Sequence, residues 1–201
     1  MSVTVNSGYA IAMGRWEPDS RGRLQEAALA LYSERGFDQT TAAQIAERAG
    51  LTERTFFRHF VDKREVLFAG TSYLEERIVA GVAGAPATAG PLDAVGLGLQ
   101  AGAGFLSEFR RDLARQRQAV IAANPELRER ELAKLADWAT SIAAVLQVRG
   151  VGEPQATLAA ETGMTVLRIA VAQWASEEDG PDLTDIMSDA MAHVRELIAE
   201  G

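Results

Sequence analysis

The sequence predicts an all-α protein, and three observations carry that reading. Apolar residues recur every three to four positions along most of the chain. No stretch alternates apolar and polar residues as a half-buried strand does. Helix caps and Gly or Pro stops punctuate the periodic segments. At 201 residues the chain can bury a sizeable core without covalent staples.

Residues 1–19 show no sustained periodicity and hold Gly8, Gly14 and Pro18, so a disordered arm or expression remnant is expected there. From Ser20 to Arg35, Leu24, Ala27, Ala28, Leu31 and Tyr32 recur at helical spacing, and Gly36 supplies a left-handed stop. Thr41 followed by Gln44 is a capping box that starts a second helix at Ala42, ending at Gly50. Thr52 caps a third through about His59. Asp62 with Glu65 reads as another capping box, opening a long fourth helix through Leu67, Leu74, Ile78 and Val82. The Ala, Gly, Pro and Thr run from Gly84 to Pro91 is a loop.

Leu92 to Arg111 is helical in pattern but carries Gly96, Gly98, Gly102 and Gly104. These glycines either let another helix approach closely or weaken this one by ~1 kcal/mol each. A short helix from Leu113 to Ala123 follows. Asn124-Pro125 caps one that runs to Val148 and stops at Gly150, Pro154 opens another through Trp174, and Asp182 or Thr184 caps a last through Ile198. The expected division is 1–19, a helix-turn-helix unit at 20–68 and a larger helical unit at 69–201.

The chain lacks cysteine, which excludes disulfides, thiolate metal sites and a Cys nucleophile. Its two histidines, His59 and His193, have no metal-ligand partner at helical spacing, and no nucleophile elbow or phosphate-binding glycine loop is present. No cofactor, metal or catalytic residue is therefore expected. No apolar run approaches a membrane span and the first residues lack a signal-peptide layout, so the expectation is a cytoplasmic protein.

The net charge of -8 argues against a nucleic-acid partner until its distribution is read. Arg21 to Arg64 holds eight basic and six acidic residues, a net of +2, against twelve basic and twenty-two acidic elsewhere, a net of -10. Within that basic stretch, two short helices around Gly50 have the layout of a helix-turn-helix. Ile45, Ala46, Ala49 and Leu51 form its inner face, and Phe57 and Phe60 are expected to lock the second helix inward. Glu53, Arg54, Thr55, Arg58 and His59 are then left outward, where a recognition helix meets base edges.

The residues Arg21 to Phe68, through "ALALYSERGFDQTTAAQIAERAGLTERTFFRHFVDKREVLF", resemble the DNA-binding domain of the TetR (tetracycline repressor) family of transcriptional regulators. The marks are Tyr32-x-x-x-Gly36-Phe37, the Thr40-Thr41 cap, Ile45-Ala46-x-x-Ala49-Gly50, Thr52, Phe57-x-His59-Phe60 and Lys63-x-x-x-Leu67. The resemblance implies that Thr41, Thr52 and Lys63 contact phosphate and that Thr55 and His59 touch the operator. Arg54 stands where the family usually has glycine and can pair with guanine. Phe57 stands where a tyrosine usually reaches phosphate, a contact that Arg58 is placed to take over.

In the larger unit, Phe105, Phe109, Trp138, Met164 and Trp174 fall on apolar faces. Phe105, Phe109, Trp138, Met164 and Arg168 are the candidate ligand-binding set. Read by residue type alone, the aromatics suit a core, and Arg168, flanked by apolar residues, suits a buried paired arginine. The last helix carries a broad stripe of Ile186, Met187, Ala190, Met191, Val194, Leu197 and Ile198. The resemblance implies a homodimer paired through the last two long helices, binding a double-stranded DNA operator and a small-molecule effector. The function expected is a repressor released from a palindromic operator by that effector. A dimeric DNA-binding regulator without an effector, or a helical enzyme, remain the alternatives at this point.

Overall fold

The computed structural model describes residues 20–106, 111–177 and 179–199. The expected arm at 1–19 and Phe109 lie outside them. The described elements are α1 (Ser20–Arg35), α2 (Ala42–Arg48), α3 (Glu53–His59), a 3-10 turn (Glu65–Phe68), α4 (Thr71–Ala83), α5 (Pro91–Leu106), α6 (Arg111–Ala123), α7 (Pro125–Val148), α8 (Glu153–Ser176) and α9 (Leu183–Ala199). All regular structure among the described residues is helical, as the periodicity predicts.

Three stops, after α1, α2 and α7, fall where left-handed backbone is needed: Gly36, Gly50 and Gly150 have φ of 86°, 66° and 91°. The fourth helix departs from expectation. Asp62 does cap, its Oδ1 accepting the amides of Arg64 at 2.8 Å and Glu65 at 3.0 Å. The Glu65 side chain, however, turns away from Asp62 to Arg130 and Lys134 of α7. The capping box is thus half made, only a 3-10 turn forms, and Gly70 at φ 85° separates it from α4. Asn124 also differs: rather than capping α7 with its side chain, it donates to Val120 O at 2.6 Å and closes α6.

Two apolar clusters hold the chain together. The first joins Leu24, Leu31, Tyr32, Ile45, Phe56, Phe60 and Leu67 to Val120, Ile121 and Leu127, so the N-terminal helices are seated on α6 and the start of α7. The second fills the space between α4, α5, α7, α8 and α9 with Ile78, Val82, Leu99, Ile142, Leu146, Leu167, Trp174 and Met187. The stripe expected on the last helix is divided. Ile186, Met187 and Met191 are buried within their own chain, whereas Leu197 and Ile198 are exposed, together with Leu158 and Ile169 of α8.

Candidate nucleic-acid interface and body cavity

The helix-turn-helix is set by local hydrogen bonds. Thr41 Oγ1 accepts the Gln44 amide at 3.2 Å while Gln44 Oε1 accepts the Thr41 amide at 2.9 Å, the reciprocal cap the sequence predicts. Thr52 Oγ1 accepts the Thr55 amide at 3.2 Å, and the two hydroxyls lie 2.9 Å apart. Between the helices, Leu51 donates to Ala46 O at 2.8 Å across Gly50, and the Arg23 guanidinium of α1 donates to Ala49 O. On the surface, Glu34 and Arg48 form a forked ion pair with bonds of 2.6 and 2.7 Å between α1 and α2.

Thr41, Thr52, Glu53, Arg54 and Arg58 are exposed, and Thr55 and His59 are half-buried. His59 is less available than expected: its Nε2 is enclosed with no hydrogen-bond partner among the described residues. The aromatic anchoring is also corrected. Phe56 is fully buried, and Phe57, expected to lock α3 inward, is 54% exposed beside Arg54 and Arg58. The reason is helical phase: Phe56 and Phe60 are four apart and face the core together, which turns Phe57 outward by one residue's rotation.

Lys63, which the resemblance implies contacts phosphate, also holds its own chain together. Its ammonium donates to Phe37 O at 2.8 Å, Thr40 O at 2.9 Å and, more weakly, Asp38 O at 3.4 Å, and lies 4.3 Å from the centre of the Phe37 ring. A lysine has three donor hydrogens, and here each has a carbonyl. Lys63 therefore clasps the α1–α2 loop. Tyr32 completes the clasp by donating to Lys63 O at 2.6 Å. Burial first, and the nearby Asp62 charge second, push the Tyr32 hydroxyl well above its ordinary pKa and keep it a donor.

A cavity of about 360 Å³ lies where the N-terminal helices meet the rest of the chain. Leu29 of α1 and Leu67 to Thr71 wall one side; Leu135, Trp138, Leu167 and Trp174 wall the other. Of the candidate ligand residues, Phe105, Trp138 and Arg168 line it. Met164 does not: it is buried in the second apolar cluster. Arg168 is exposed at the cavity wall, not a buried paired arginine, because its position on α8 lies beside the uncovered face of Ile169. Sequence reasoning missed Leu29, Phe68, Arg117, Glu131 and Lys134. The last three were signalled only as charges on helices with apolar faces.

Arg117 is a half-buried cation of this region. Its Nε donates to Leu67 O at 2.8 Å, one terminal nitrogen donates to Glu131 at 3.1 Å, and the guanidinium lies 5.3 Å from the Phe68 ring centre. Burial lowers its pKa and the Glu131 carboxylate opposes that shift. No cluster of three or more His, Asp or Glu among the described residues is placed to hold a metal, and no described helix is long and apolar enough to cross a membrane.

A capped helical pair with an exposed cationic second helix, mounted on a larger helical body, has the layout of a helix-turn-helix DNA-binding unit joined to a second helical unit. Residues 24–69 match the family described as "Bacterial regulatory proteins, tetR family", and residues 89–199 match "MftR C-terminal domain". The chain belongs to the TetR family of bacterial regulatory proteins. It is 40% identical over 76 residues to the HTH-type transcriptional regulator TcmR of Streptomyces glaucescens, a span of 38% of this chain and 34% of TcmR. It is 40% identical over 47 residues to the HTH-type transcriptional repressor KstR2 of Mycobacterium tuberculosis, 23% of this chain and 24% of KstR2. The chain thus matches about a third or less of the length of these relatives. The fold is that of the transcriptional regulator FadR from Bacillus subtilis, solved in complex with stearoyl-CoA. That likeness has a TM-score of 0.59 at 19% identity and covers 85% of this chain and 95% of FadR.

Proposed function

We propose that the chain is a homodimeric repressor whose two α3 helices enter successive major grooves of a two-fold symmetric operator, and that a small, largely apolar molecule in the cavity releases it. The observation carrying this reading is the cavity's position. Its walls come from α1 and the Leu67 to Thr71 segment on one side and from α7 and α8 on the other, so an occupant acts on both. An occupant that prefers the arrangement with wrongly spaced recognition helices lowers operator affinity by linkage.

Thr41 and Thr52 meet phosphates, Arg54 and Thr55 meet base edges, and Arg58 takes the phosphate contact that Phe57 cannot make. His59 packs behind them. Selecting bound sequences from random DNA tests the reading, with a symmetric pair of half-sites and a steep salt dependence expected. An asymmetric or absent consensus, with salt-insensitive binding, overturns it. On the selected site, Arg54→Ala should relax selectivity at one base pair per half-site by about 1–3 kcal/mol. Arg58→Ala should instead weaken all sequences alike and lower the salt slope by about 1. If Arg54→Ala weakens every variant equally, Arg54 is a phosphate anchor.

The proposed dimer face is α8 with α9, which leave Leu158, Ile169, Leu197 and Ile198 uncovered. Ile169→Glu should give a folded monomer in sedimentation. Met191→Glu, although on the same stripe by sequence, buries a charge within its own chain and should disrupt folding instead. A dimer of unchanged affinity in Ile169→Glu places the interface elsewhere.

A further inference from the structure

The cavity wall is mainly apolar, but its charged groups are unevenly committed. They are Glu26, Arg117, Glu131, Lys134 and Arg168. Arg117 and Glu131 neutralise each other at 3.1 Å. Lys134 is bound more loosely: its ammonium is 3.5 Å from Glu65 Oε2, beyond a good charge-assisted hydrogen bond, and 5.5 Å from the centre of the Phe68 ring. Glu65 belongs to the 3-10 turn that follows the recognition helix, and its nearer partner is Arg130 of α7. Lys134 therefore faces two ways, toward the cavity and toward a carboxylate on the segment joining α3 to α4.

Resting on the reading of the cavity as an effector site, we infer that the effector is an amphiphile with an acidic head group, which engages Lys134 in competition with Glu65. The apolar body lies against Trp138, Trp174 and Leu135. A carboxylate oxygen closing to ordinary hydrogen-bond distance of Lys134 makes a better contact than Glu65 now does, and it places a second negative charge beside Glu65. Repulsion then loosens the 3-10 turn from α7. The adjoining residues Leu67 and Phe68 are themselves cavity wall, and Leu67 O is held by Arg117, so the loosening reaches the seat of the N-terminal helices. An uncharged occupant of the same shape fills the space without touching this pair. Coupling is reciprocal: whatever weakens the hold of Glu65 on Lys134 raises affinity for the acid.

The test compares decanoate with decanol at about pH 8, where the acid is ionised. Binding is followed by the emission of Trp138 and Trp174 in the full-length protein. The wild type should bind decanoate roughly tenfold or more tightly than decanol, the scale of a hydrogen bond to a charged group. Lys134→Gln should remove that preference while leaving decanol affinity intact. The isosteric Glu65→Gln should strengthen decanoate binding by about fivefold, at the low end of usual couplings. Decanoate, but not decanol, should speed amide hydrogen exchange at residues 65–69. Equal affinities in the wild type, or a preference that survives Lys134→Gln and is unmoved by Glu65→Gln, overturns the inference while leaving the cavity as an apolar effector site. Failure of both probes to bind overturns the cavity reading and the inference with it.

Discussion

Phe56→Ala should lower the free energy of unfolding by about 3–5 kcal/mol, the usual cost of emptying a buried aromatic site. Phe57→Ala, one residue along, should cost about 1 kcal/mol or less, the worth of an aromatic edge contact with little burial. Phe56 is 0% exposed and lies 5.3 Å from the Phe57 ring and 5.6 Å from the Phe60 ring, at the centre of the cluster that joins α1, α2 and α3. Against a total stability of roughly 5–15 kcal/mol, its loss leaves the recognition helix without a fixed base. Urea denaturation of the two variants measures the difference, and DNA binding reverses the emphasis. Phe57 stands on the exposed face with Arg54 and Arg58, so Phe57→Ala should alter operator affinity in a protein of nearly normal stability. Equal destabilisation by the two substitutions would show that α3 is rotated from the phase described.

The same two residues mark the limit of what was legible in the sequence. Caps were readable because their signal is local: Thr41 with Gln44 and Thr52 with Thr55 sit within one turn, and both form as expected. Helical phase was not fixed by composition, because adjacent phenylalanines satisfy either phase and only packing against α1 chooses Phe56. The intrachain contacts of Lys63 were illegible for a related reason. A lysine at the right spacing reads as a free cation, and nothing local indicates that the carbonyls of Phe37, Asp38 and Thr40 converge on it from more than twenty residues away. The fourth helix failed where a long-range ion pair drew Glu65 from its cap. The cavity was half legible: Phe105 and Trp138 announced themselves as apolar bulk, but its wall on α1 and the 3-10 turn depends on how two units dock, which no periodicity encodes.

Gly98→Ala and Gly104→Ala, six residues apart on α5, should change stability in opposite directions. A methyl at Gly98 would stand 2.5 Å from Val82 Cγ2 and 2.7 Å from Ile78 O, both on α4. The side chain has some freedom to yield, but the carbonyl belongs to helical backbone and moves only with α4. On the opposite face of this contact, a methyl at Gly81 would stand 2.8 Å from the Gly98 Cα, so the two helices cross with backbone nearly against backbone. Relief requires α4 to shift, and overpacking of this kind costs about 1–3 kcal/mol. At Gly104 an added methyl meets nothing within 4 Å, and the backbone has no positive φ to protect. There alanine should stabilise by about 1 kcal/mol through helix propensity alone. Thermal unfolding in parallel decides it, and stabilisation by both substitutions would mean that α4 and α5 are not in close contact. The functional consequence follows from connectivity. α4 leads directly from the 3-10 turn into the body, so a displaced α4 carries α3 with it. Gly98→Ala should therefore weaken operator binding beyond what its loss of stability accounts for, while Gly104→Ala leaves binding unchanged.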